Sequence, residues 1–116
     1  MRQKVKIQAK AITLTNGVPT QLFTNSVWVS GFVLYGIKSA ATDDAPTLNS
    51  DMVHVAFGDA ADELLFTQGV APGYDGVPFN AAVDHFIDLS RVWCLNITDG
   101  DNVVIEFERA ITSPLT

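Results

Sequence analysis

Hydrophobic and polar positions alternate with a period of two along most of this chain. Val103, Ile105 and Phe107 alternate with Val104, Glu106 and Glu108, and Val53, Val55 and Phe57 alternate with Met52, His54 and Ala56. Successive side chains of a β-strand point to opposite faces, so each run predicts a strand with one face against a core. Val53, Val55, Phe57, Val103, Ile105 and Phe107 are expected in that core. Residues 4–14 set Val5, Ile7, Ala9 and Ala11 against Lys4, Lys6, Gln8 and Lys10, which predicts a long first strand with a polar face. Ile12 and Leu14 lead from it into an Asn16-Gly17 turn.

Residues 26–39 are the most apolar stretch. Strict alternation puts Val27, Val29, Val33, Tyr35 and Ile37 on one side and Trp28, Phe32 and Leu34 on the other. Gly31 and Gly36 inside this run point to a bulge or bend, because glycine weakens regular strand and allows close backbone approach. Residues 40–50 have loop composition. Residues 62–66 fit a helical turn or a short strand, and the following Gly69, Pro72 and Gly73 favour the strand. Residues 77–79, with Pro78, read as an edge-like strand. Residues 86–96 and 103–109 read as two strands joined by a tight hairpin turn at Asp99-Gly100-Asp101. Seven to eight short strands at regular spacing, almost without helical period, predict an all-β fold. We expect a single antiparallel β-sandwich of jelly-roll type, with residues 1–116 forming one domain and residues 1–10 a basic first strand or docking arm.

Charge and chemistry narrow the function. The net charge is −6, yet Arg2, Lys4, Lys6 and Lys10 carry four of the seven positive charges. The remainder holds three positive and thirteen negative groups, a body that repels phosphate backbones and argues against nucleic-acid binding. No segment has the apolar length of a membrane span or a signal peptide, so the chain reads as soluble and without membrane attachment. The single Cys94 sits in a strand pattern and is expected to be a buried hydrophobe. His54 and His85 stand in no nucleophile, zinc or phosphate-loop spacing, and we expect no enzymatic activity, metal or cofactor. Asp84, His85 and Asp88 match no cation-binding loop, and Asn96-Ile97-Thr98 is read as a chance glycosylation sequon. Trp93 is expected in packing. Trp28, Phe32 and Leu34 would form an exposed apolar stripe if the valine face of their strand points inward, and a partner contact is then the natural account.

Taken in order, several segments resemble a widespread type of small structural protein on the virions of tailed bacteriophages. They are Val5 to Leu14, Val27 to Ile37, Asn49 with Val53 to Gly58, Pro72-Gly73, Asp88-Leu89-Ser90-Arg91-Val92-Trp93, and Gly100-Asp101 with Val103 to Phe107. The resemblance spans nearly the whole chain and rests on order and spacing. Two departures are a longer, more acidic loop at 40–50 and a weak apolar anchor at Val70-Ala71. The resemblance implies a capsid decoration (cement) protein made in the host cytoplasm and bound to the outer head surface. Its partners would be the major capsid protein and neighbouring copies of itself. Arg2, Lys4, Lys6, Lys10, Trp28, Phe32 and Leu34 are the expected contact residues. A tail or neck component of the same virion is the nearest alternative, and a carbohydrate-binding β-sandwich module is the alternative of another class.

Overall fold

The computed structural model describes residues 7–38, 47–61 and 64–109. Among these residues nine strands occur: β1 (Ile7–Ile12), β2 (Thr20–Gln21), β3 (Trp28–Tyr35), β4 (Val53–Phe57), β5 (Gln68–Val70), β6 (Val77–Asn80), β7 (Ile87–Asp88), β8 (Val92–Leu95) and β9 (Val103–Arg109). They form two antiparallel sheets. One runs β1-β9-β3-β6, with the two-residue β7 also on β3, and the other runs β2-β8-β4-β5. The first strand thus pairs with the last, β2 with β8, β3 with β6 and β4 with β5, as when one long hairpin is rolled up on itself. With β7 set aside, this is the eight-strand pairing of a jelly roll, as the alternation predicts.

The inner faces meet in one core. Val29, Leu34, Val53, Val55, Val70, Leu89, Val92, Cys94, Val103 and Ile105 are wholly inaccessible, and Phe32 and Phe107 nearly so. Removing such branched side chains from water stabilises the fold by roughly 1.5–3 kcal/mol each. Phe32 stacks on Phe79 at 5.0 Å between ring centroids. Five of the six expected core residues are buried. Phe57, at the end of β4, is 38 % exposed and lies over the rim, 6.4 Å from the Phe32 ring and 6.0 Å from Phe79.

Strict alternation fails in β3, and the failure corrects the expected stripe. The pairing of β3 with β9 shifts register between Val29 and Phe32. The extra residue inverts the side-chain frame, so Val29, Phe32 and Leu34 all point inward while Val33 and Tyr35 are half-buried on the outer side. Gly31 permits this, because a Cβ there would stand 2.5 Å from Asn80 Oδ1 and 3.1 Å from the Phe79 carbonyl oxygen. Phe32 and Leu34 are therefore core, and Trp28 alone of the three is half-exposed.

Two further expectations change. β8 and β9 do not form a hairpin, since they lie in opposite sheets. The predicted turn exists, closed by the Asp101 N–H on the Thr98 carbonyl at 3.2 Å with Gly100 at φ 88°, but it belongs to an arch between sheets. Residues 64–67 are not strand; β5 comes later, across Gly69. Asp62 and Glu63 lie outside the described residues.

Candidate interaction sites at the two ends of the sandwich

The strand registers define two ends. β1 and β8 begin, and β4, β6 and β9 finish, at the end that holds Trp28; the connecting residues 13–19, 36–38, 47–52, 71–76 and 96–102 lie at the other.

At that other end a buried polar network ties the loops together. Asp101 is 0 % exposed, and its two oxygens accept the backbone N–H groups of Ser50 at 2.7 Å and Asp51 at 2.8 Å. Lys38 Nζ stands 3.9 Å from the same carboxylate. Asn49 donates to the Asn102 carbonyl at 2.6 Å and accepts the Asn102 N–H at 3.1 Å, so its amide copies a strand pairing. The Asn102 side chain in turn donates to the Lys38 carbonyl and accepts the Leu14 N–H. Asn96 donates to the carbonyls of Thr98 and Asp101, and Thr98 Oγ1 donates to Asp51. Buried polar groups are tolerable when hydrogen-bonded, and the exception here is Asn96, 1 % exposed, whose Nδ2 is occupied while its buried Oδ1 has no partner among the described residues.

Around this lock stand five exposed apolar side chains, Val18, Leu48, Met52, Tyr74 and Ile97, between 37 and 61 % accessible. The Gly17 N–H bonds the Asn96 carbonyl at 3.0 Å and Thr98 bonds Asp51, so the loops that carry Val18, Ile97 and Met52 are tied to one another, while the Met52 side chain lies over Gly69 of β5. Leu48 and Tyr74 gather at Gly36, whose carbonyl accepts from both Asn49 and Gly73. Alternation could not reveal this surface, because it is built wholly from loops. The Asn and Asp residues flanking the apolar ones were the available signal.

The opposite end carries an open cleft of about 340 Å³ lined by Trp28, Phe57, Phe86, Ile87, Asp88 and Arg91. Asp88 is the cap that shapes it. Its carboxylate accepts the N–H groups of Val27 and Ser90 and the Ser26 hydroxyl, and starts the 3-10 turn Leu89–Arg91. Burial pushes its pKa up, but the hydrogen bonds from Ser90, Ser26 and Val27 outweigh burial and hold it below the ordinary carboxylate value. A depressed folded pKa stabilises the fold above the unfolded value of 3.8, and that contribution disappears as pH falls through the lower folded value. Asp88→Asn should therefore be less stable than the parent at pH 7, with the gap narrowing as pH falls below 3.8. Urea unfolding across that range measures it, and a gap independent of pH would show that the charge is not what Asp88 contributes.

Of the expected contact residues that are described, Phe32 and Leu34 belong to the core, and only Lys10 and Trp28 reach the surface. Arg2, Lys4 and Lys6 lie outside the described residues. Lys10 shares the inner face of β1 with the buried Ile12 and Leu14, the reverse of the expected polar face, and its Nζ sits 4.8 Å over the Phe23 ring. Ala9 and Ala11 take the outer side and are exposed. An inward lysine on the edge strand discourages pairing with another sheet. Trp93 is half-buried and donates from its indole to the Gly58 carbonyl at 2.9 Å, so Trp28 and Trp93 form no common platform. Cys94 is fully buried, and burial pushes its thiol up to about 12, where no thiolate is available for chemistry at neutral pH. No helix among the described residues is long and apolar enough to cross a membrane.

The chain is thus a jelly-roll β-sandwich with exposed apolar side chains on the loops of one end and an aromatic-lined cleft at the other. Comparison with family models, with curated proteins and with solved structures finds no match to this chain.

Proposed function

We propose that this protein is a virion structural protein of a tailed bacteriophage, a decoration protein that binds the outer head surface and reinforces contacts between capsid subunits. The observation that carries the reading is the locked end. Five exposed apolar side chains stand on loops already held by Asp101, Asn49 and Asn102. A surface ordered before binding loses little freedom on association, so apolar burial there converts efficiently into affinity. Many copies on a particle would then multiply a modest individual affinity. The order of motifs shared with small phage proteins supports the same reading. Two of those motifs, Asp88-Leu89-Ser90 and Gly100-Asp101, form the cap and the arch described above.

Capsids prepared without this protein provide the test, mixed with the wild type and with a Val18→Ser, Met52→Ser, Ile97→Ser variant and examined by electron microscopy and co-sedimentation. The wild type should decorate the particles. The variant should bind at least about tenfold more weakly, since three partly buried contacts are worth more than the 1.4 kcal/mol that a factor of ten requires. Equal binding would move the contact away from this end. Failure of the wild type to decorate heads, with protein found instead at tails or necks, would replace the decoration role by the accessory one.

A further inference from the structure

The cleft at the Trp28 end has a composition that the capsid reading does not use. We propose that it is a binding site for a neutral carbohydrate. At about 340 Å³ it falls at the small end of the range for small-molecule pockets. Its walls are the rings of Trp28, Phe57 and Phe86, and the Trp28 indole N–H has no hydrogen-bond partner among the described residues. At its edge Arg91 Nε donates to Asp59 Oδ1 at 2.9 Å. Both side chains of that pair are largely exposed, and of the two only Arg91 lines the cleft, with Asp59 beside it. Asp88, the remaining charge, has its oxygens taken by Ser26, Val27 and Ser90.

Each feature removes a class of ligand. Asp59 and Asp88 against one Arg91 leave no excess positive charge to hold a phosphate or carboxylate. A quaternary ammonium ion would welcome the rings but would meet the Arg91 guanidinium in the same cleft. A purely apolar ligand would cover the rings but make no use of Arg91 at the edge of the cleft. A sugar ring answers all of them, because its C–H face stacks on an aromatic ring while its hydroxyls both donate and accept. Trp28 is the stacking residue, and Arg91 with Asp59 reads the hydroxyls.

The experiment is an array of neutral and acidic glycans probed with the labelled full chain, its Trp28→Ala variant and its Arg91→Met variant, together with a choline chloride titration followed by tryptophan fluorescence. Circular dichroism checks that each variant keeps the fold. Arg91→Met is the safer of the two, since the Arg91 side chain is 54 % exposed and methionine preserves its stem. The wild type should retain one or more neutral glycans. Trp28→Ala should weaken retention about tenfold, in line with the worth of one aromatic stack, and Arg91→Met several-fold. Retention of no glycan, of acidic glycans only, or equally by both folded variants would overturn the proposal. So would choline binding without glycan binding. Because the cleft and the locked end are opposite, failure here leaves the capsid reading standing, and the reverse holds as well.

Discussion

Phe107→Ala should destabilise the domain by about 3–5 kcal/mol, the combined loss of transfer energy and the cost of the cavity left behind. Phe107 is 6 % exposed and meets Phe23 edge-to-face at 5.3 Å between centroids. It also stands across from Phe32 in the β3–β9 pairing, next to the stacked Phe32–Phe79 pair. The central strand of the larger sheet cannot collapse into the gap without disturbing both neighbours. Against the roughly 5–15 kcal/mol that holds a domain of this kind together, the loss removes a large share. Urea unfolding of parent and variant with unchanged slope gives the number. A loss below about 1 kcal/mol would mean that Phe107 is not packed as described.

The second large effect is expected at Asp101. Asp101→Ala removes the acceptor of two charge-assisted hydrogen bonds from the backbone of Ser50 and Asp51, which should cost about 3 kcal/mol. Asp101→Asn keeps one oxygen but points an amide at an N–H, and should cost about half as much. The contribution of Lys38, 3.9 Å away and partly exposed, is minor, so Lys38→Met should change stability little. Denaturant unfolding of the three variants gives the ranking. Equal losses for Asp101→Asn and Lys38→Met would show that ion pairing, and not capture of the loop backbone, is what Asp101 does. Amide exchange at Ser50 and Asp51 would rise in the alanine variant in either event.

Period-two alternation was enough to place β4 and β9 and to assign the class of fold, because Val53 and Val55 in β4 and Val103, Ile105 and Phe107 in β9 recur at every second position on one face. It misassigned β1. Counting apolar residues favours the frame of Ala9 and Ala11, but the larger Ile12 and Leu14 share the frame of Lys10, and side-chain volume decides which face goes inward. In β3 the glycines announced a bulge, yet which residues it would turn inward depended on where β9 slips, a long-range fact. Val104 shows the same limit. It lies on the nominally polar side of β9 and is 2 % exposed, beside Tyr35 in the pairing. The turn at Gly76 presses on that side so closely that a Cβ there would strike Val33 and the Tyr35 ring. The candidate sites were less legible still. Trp28 was legible only as part of an exposed stripe with Phe32 and Leu34, whereas the cleft and the locked end join residues from loops far apart in sequence.

The direction of the first and last strands has a practical consequence. β1 is entered, and β9 is left, at the cleft end. A cargo domain fused ahead of residue 7 or behind residue 109 would therefore be carried beside Trp28 and Phe57, with the Val18, Met52 and Ile97 surface left clear. Used as a display scaffold, the domain would hold its passenger at the end away from the Val18, Met52 and Ile97 loops, and it is the cleft that a bulky fusion would shade.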